Sequence, residues 1–215
     1  MSEPQTYADR VYRSAAAMVA GALLLGLGAW LAGDAILRGE GRTPLTAAAA
    51  LLLAAPVVVA FTFRPAVFAS DARLRVRNPF RTITVPWARV DTIRAQYSTE
   101  LLADGRKFQL WAIPVSLRAR SRVNRHNARL SSGEPPRSGP FSFGLGGARS
   151  LADAPEEGGP RTAPGDAAVA ELRELAESHA ADKAAQGPVV VRWCYEILAP
   201  AAVGGLALLA LLLAG

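Results

Sequence analysis

A chain of 215 residues, 51% of them hydrophobic and with positive mean hydropathy, holds material for one small water-facing domain plus membrane segments, because its apolar residues fall in long runs. One cysteine excludes a disulfide within the chain, and the two histidines beside it make no set of soft ligands for a structural zinc site. The net charge of +6 raises the question of nucleic acid, but the uneven placement of that charge ties it to a membrane instead.

Residues 1–13 form a short polar lead carrying Arg10 and Arg13. Residues 14–33 contain no charge, and at a helical rise of about 1.5 Å they span roughly 30 Å of hydrocarbon, so a transmembrane helix is expected. A cleaved signal peptide is the competing reading; the length of the run and the poor small-x-small site in AWLAGDA stand against it. Gly21, Gly26 and Gly28 would let a second helix approach closely, unless alanine and glycine are simply abundant here. Residues 34–42 connect with two acids and two bases, and residues 43–63 make a second uncharged run in which Pro56 is expected to produce a kink. Residues 14–63 thus predict a helical hairpin.

Residues 64–117 read as a β domain. A first strand is expected at residues 67–70. Leu74 and Val76 then alternate with Arg73, Arg75 and Arg77, and Ile83 and Val85 alternate with Thr82 and Thr84 after a break at Asn78, Pro79 and Phe80. Period two predicts strands with one buried and one wet face, joined by a tight turn. Asp104 and Gly105 are a second hairpin signal, since both residues tolerate positive φ. Trp87 and Trp111 sit in strand-like apolar patterns and are expected in the core. Between residues 64 and 137 there are fifteen Lys and Arg against five acids, which by the positive-inside rule keeps this segment and the N-terminus cytoplasmic, with the hairpin tip outside.

The RNP turn, a VPW-x-x-V-x-x-I step at residues 85–93 and a DGR hairpin leading into LWAIP resemble the bacterial PH-domain proteins, a membrane-attached branch of the PH-like barrels. The likeness covers residues 67–117, with a return at residues 166–182, about a third of the chain. It implies a seven-stranded, strongly bent sheet closed at one end by a C-terminal helix and used for binding, not catalysis. It names no ligand, because PH-like barrels bind lipids, peptides or proteins.

Residues 118–165 open with a basic run that could be helical, then become so rich in Gly, Pro and Ser that a disordered loop is expected. Its GLGG lacks the spacing and preceding strand of a nucleotide fingerprint. Residues 166–183 predict an amphipathic helix with Asp166 as N-cap and Val169, Leu172, Leu175 and Ala176 on one face. The resemblance gives it the task of capping the barrel; a coiled coil or partner helix is the alternative. Residues 184–196 are juxtamembrane, with Trp193 and Tyr195 where an aromatic belt is expected, Arg192 on the cytoplasmic side and Glu196 at the edge. Residues 197–215 make a third span and put the C-terminus outside.

For catalysis the candidates are Cys194, His126 and His179, and nothing in the sequence places two of them together, so no enzyme, cofactor or metal is expected. For anionic lipid or phosphate the candidates are Arg73, Arg75 and Arg77 on one strand face, Arg81 across the turn, and Arg89, Arg94, Arg106 and Lys107 nearby. Guanidinium groups bind phosphate bidentately, and each basic group near an anionic leaflet contributes on the order of 1 kcal/mol. The plainer account is a solvated surplus of charge that sets topology. Nucleic acid is not expected, because few aromatics interleave with the arginines. The resulting expectation is an α+β membrane protein: three transmembrane helices and a cytoplasmic PH-like antiparallel β-barrel capped by a C-terminal amphipathic helix. Such a protein would be a non-catalytic binding or scaffold module of the cell membrane. Its partners would be the bilayer, anionic lipid headgroups, or a cytoplasmic or membrane protein.

Overall fold

The computed structural model describes residues 10–132 and 160–214. A short strand β1 (Arg10–Tyr12) precedes α1 (Ala15–Arg38) and α2 (Thr43–Thr62), and six strands follow: β2 (Ala66–Ala69), β3 (Arg73–Arg77), β4 (Arg81–Pro86), β5 (Val90–Ala95), β6 (Thr99–Ala103) and β7 (Arg106–Gln109). Then come α3 (Leu117–Ser131), α4 (Pro164–His179), β8 (Val190–Trp193) and α5 (Tyr195–Leu213).

Uncharged stretches of Ala, Leu and Val favour helix wherever no alternative partner for the backbone exists, and α1, α2 and α5 are each long and apolar enough to cross a bilayer. Ser14 caps α1 by accepting from the amide of Ala17 at 3.3 Å. The helix runs beyond the uncharged stretch because Asp34 and Arg38, one turn apart, pair at 3.2 Å. α2 is continuous through Pro56. It packs against both α1 and α5, and glycines make the close approaches. A Cβ on Gly21 would lie 2.2 Å from Thr62 Oγ1, and one on Gly204 would lie 2.5 Å from the backbone nitrogen of Leu53. Gly26 and Gly28 face open space, so of the three glycines singled out in α1 one serves the bundle.

The period-two pattern folds as expected. Leu74, Val76, Ile83 and Val85 are fully buried, and β3 pairs antiparallel with β4 in the register Arg75↔Thr84 and Arg77↔Thr82. Asp104 (φ 48°) and Gly105 (φ 67°) turn β6 into β7, the two left-handed residues of a tight hairpin. Trp87, Ile93, Leu101, Phe108 and Leu110 fill the core, where Trp87 Nε1 donates to Ser70 O at 2.7 Å. Val169 and Leu172 of α4 complete it.

Several expectations need correction. Among the described residues there is no closed barrel and no single seven-stranded sheet: eight strands form a five-stranded sheet, β1-β2-β3-β4-β8, and a three-stranded sheet, β5-β6-β7. β1 and β8 come from the polar lead and the juxtamembrane stretch, too short to show a period before β2 and β4 supply their backbone partners. α4 starts at Pro164 with Ala163 as N-cap, and Asp166 lies in its first turn, paired with Arg120. Trp111 is 46% exposed: it follows the end of β7 and lays its ring edge-on against Phe61 of α2, centroids 5.5 Å apart. The basic run forms α3, whereas the Gly/Pro-rich loop falls on residues 133–159, outside the described residues.

Because Leu172 is fully buried in the shared core, Leu172→Ala should cost roughly 2–4 kcal/mol and lower the melting temperature of the purified protein. A melt followed by tryptophan fluorescence checks this, and an unchanged midpoint would mean that α4 is not part of the folded unit.

Candidate functional site

The inward turn of Leu74, Val76, Ile83 and Val85 obliges their neighbours to face outward. On that outer face Arg77, Thr82 and Arg192 stand in one row across β3, β4 and β8, and Arg75, Thr84 and Val190 stand in the next. Arg64, just past α2, reaches back into this face. Its Nε donates to Asn78 O at 3.1 Å and its Nη2 to Thr82 Oγ1 at 3.0 Å, and it also touches the sulfur of Cys194. The amide of Cys194, the N-cap of α5, donates to Phe80 O at 2.9 Å. The result is an open recess of about 660 Å³ where the sheet meets the helix bundle, lined by Arg64, Arg73, Arg75, Arg77 and Arg192 with Glu196 as the acid of the lining. Next to it the ring of Phe68 is flanked by three guanidiniums: Arg77 at 4.9 Å, Arg75 at 5.1 Å and Arg13 at 5.8 Å.

This crowding has an electrostatic signature. Arg77 is held below the usual arginine range, first by burial and then by the like charges of Arg75, Arg64 and Arg13. It stays protonated, but its charge is held at a cost that an anion in the recess would relieve. Guanidiniums such as those of Arg77 and Arg192, flanking the Thr82 hydroxyl, are the groups that bind a phosphate or another oxyanion, bidentately where the fork is available.

The other basic candidates are placed elsewhere. Arg94 and Lys107 both serve Glu100 on the three-stranded sheet, at 3.0 and 2.6 Å. The hydrogen bond from Lys107 holds the Glu100 carboxyl below the usual carboxylate range, with help from Arg94 against its partial burial. Arg89 donates to Gly187 O at 3.1 Å and pairs with Asp104 at 3.6 Å. Arg106 covers the ring of Phe108 at 5.2 Å, and Arg81 is not part of the recess. Of the eight basic residues singled out in sequence, Arg73, Arg75 and Arg77 share the recess. Arg64 and Arg192 were missed; their signal was an arginine at each junction between a span and a strand.

The nucleophile and base candidates lie on different elements. Cys194 is buried against Arg64, His126 sits on α3, and His179 on α4 bonds Ser178 and Leu175 O at 2.8 and 3.1 Å. Among the described residues no cluster of His, Cys, Asp and Glu has metal-binding proximity.

Antiparallel sheets plugged by a helix and joined directly to apolar helices define a membrane-associated protein with a PH-like domain. Residues 64–137 match the family model of the bacterial PH domain, and the chain carries that domain there, with apolar helices on both sides. The match runs from the end of α2 through α3, so β1, α4 and β8 complete the core from outside it. No curated protein and no solved structure matches the chain. PH domains are generally non-catalytic modules that bind lipids or proteins.

Glu100 gives a pH test of the second sheet. Its folded value is depressed, so its stabilising effect is present above about pH 4.5 and fades as the pH falls through the folded value. Glu100→Gln should therefore melt lower than wild type at pH 7, with the gap closing below pH 4.5; a gap independent of pH would show that the ion pairs are not its source.

Proposed function

We propose that this protein is a membrane-anchored, non-catalytic PH-domain module whose basic recess holds the phosphate of an anionic headgroup in the cytoplasmic leaflet. The observation that carries this is the gathering of Arg64, Arg77 and Arg192 at the mouth of the bundle, where lipid phosphates lie, around an arginine whose own charge is already disfavoured by burial and like neighbours. Arg73 lies four residues along β3, about 13 Å further out, so a larger headgroup has basic partners along its length. The domain faces the cytoplasm in this reading, because Arg10, Arg13, Arg64 and Arg192 flank the spans at the domain end while the α1–α2 connection balances its acids and bases.

An adaptor for a protein partner is the second reading. β7 is an outer strand of its sheet, and Arg106, Lys107 and Gln109 along it are exposed, an edge to which a partner strand can add.

The test is a thermal melt of the full chain in detergent with added lipid. Short-chain phosphatidylglycerol should raise the midpoint and short-chain phosphatidylcholine should not. Arg77→Gln should melt no lower than wild type without anion, yet need roughly tenfold more phosphatidylglycerol for an equal rise, the loss expected for one charge-assisted hydrogen bond. An equal rise with inorganic phosphate alone assigns the recess to free phosphate. No rise with either removes the headgroup reading and leaves the adaptor.

A further inference from the structure

α3 contributes no buried residue to the core. Its half-buried positions, Ala119, Arg120, Val123, His126 and Asn127, recur at helical spacing and mark the side that rests on the domain. Arg118, Arg122, Arg125 and Arg129 follow one another at spacings of four, three and four residues, so they form a single stripe, and all four are exposed. The helix contains no acid, and none of the four pairs with one among the described residues. Among the described residues, Arg125 donates within the helix, to Ser121 O at 3.3 Å.

Such a stripe weakens the helix that carries it. Like charges one turn apart repel, and Arg118 lies in the first turn, where the helix dipole is already positive. An external anionic surface removes both penalties.

The position of α3 indicates which surface that is. Arg120 donates to Ala95 O and Gln96 O at 2.9 and 3.1 Å and pairs with Asp166 at the start of α4, while Asn127 exchanges two bonds of 2.9 Å with the backbone of Arg161. These anchors lie at the end of the domain that meets the bundle, since Leu110 bonds Thr99 at the start of β6 and Trp111 stacks on Phe61. The exposed Trp111 lies six residues before α3, and the exposed Tyr97 follows Gln96, whose carbonyl accepts from Arg120; Trp and Tyr are the residue types that settle at headgroup level.

We propose that α3 is an electrostatic foot, resting its arginine stripe on the anionic headgroups of the leaflet that anchors the three helices and so fixing the tilt of the domain over the bilayer. The partner is a lipid surface by charge complementarity and by tethering: the leaflet is held at high effective concentration, and the stripe has no aromatic side chain on which a nucleic acid base would stack. The foot is a separate surface from the recess and does not depend on what the recess binds.

Hydrogen exchange of the full chain in nanodiscs tests it. Amides of α3 should exchange on the order of tenfold more slowly in phosphatidylglycerol-containing discs than in pure phosphatidylcholine discs, and high salt should erase the difference. The Arg118→Gln, Arg122→Gln, Arg125→Gln, Arg129→Gln chain should lose that lipid dependence while β3 and β4 keep their protection, which separates loss of the foot from misfolding. Protection of α3 should persist in an Arg77→Gln, Arg192→Gln chain, so failure of the recess and failure of the foot are distinguishable. Equal exchange in the two lipids, a lipid dependence that survives in the quadruple variant, or protection of α3 by short duplex RNA in neutral discs but not by phosphatidylglycerol would each overturn the proposal.

Discussion

The architecture depends on how Arg64 is bonded. It follows α2 by a single residue beyond the helix cap and binds the carbonyl of Asn78 at the β3–β4 turn, the hydroxyl of Thr82 on β4 and the sulfur of Cys194 where α5 begins. One guanidinium thereby joins the exit of one apolar helix, the entry of another and the middle strands of the five-stranded sheet. Its donors are partly buried, and leaving any of them unsatisfied would be costly, so the junction resists hinge motion. A domain attached this way is tied to the bundle by side-chain bonds as well as by the chain itself.

That rigidity has an electrostatic consequence. Holding Arg64 beside Arg77, with Arg75 and Arg13 sharing the ring of Phe68, concentrates positive charge where the sheet is partly desolvated. Structural basic groups are commonly given carboxylates: on and beside the second sheet Arg94 and Lys107 share Glu100 and Arg89 pairs with Asp104, while Arg106 lies over the ring of Phe108. Among the described residues, the recess is lined by five arginines and Glu196. At the five-stranded sheet the same residue type thus does two things: Arg64 and Arg10 hold the fold together, while the charge of Arg77 is kept at a cost. Such a division is how binding surfaces commonly differ from structural ones.

The N-terminal strand is secured in a comparable way. Tyr12 donates to Glu171 of α4 at 2.5 Å and Arg10 pairs with the same carboxylate, so β1, lying outside the matched domain, is clamped to the helix that fills the core. Burial and that carboxylate push the Tyr12 hydroxyl above the usual phenol range, which keeps it a donor across physiological pH.

The sequence by itself determined the parts whose signal is local. Twenty-residue uncharged runs have one stable solution in lipid, the Arg73–Arg77 and Arg81–Pro86 strands show their buried face in every second residue, and Asp104-Gly105 admits a tight hairpin. Those same signals, with the PH-like step at residues 85–93, were enough to place the family. What only the tertiary structure decided is everything set by partners far apart in the chain. β1 and β8 are strands because β2 and β4 complete their hydrogen bonds, the sheet splits in two instead of closing, and Trp111 leaves the core to stack on Phe61. Arg64 and Arg192, 128 positions apart in the numbering, meet at one recess. Charge counted along the chain cannot tell a guanidinium facing a carboxylate from one facing other guanidiniums, because pairing is a property of distance in space.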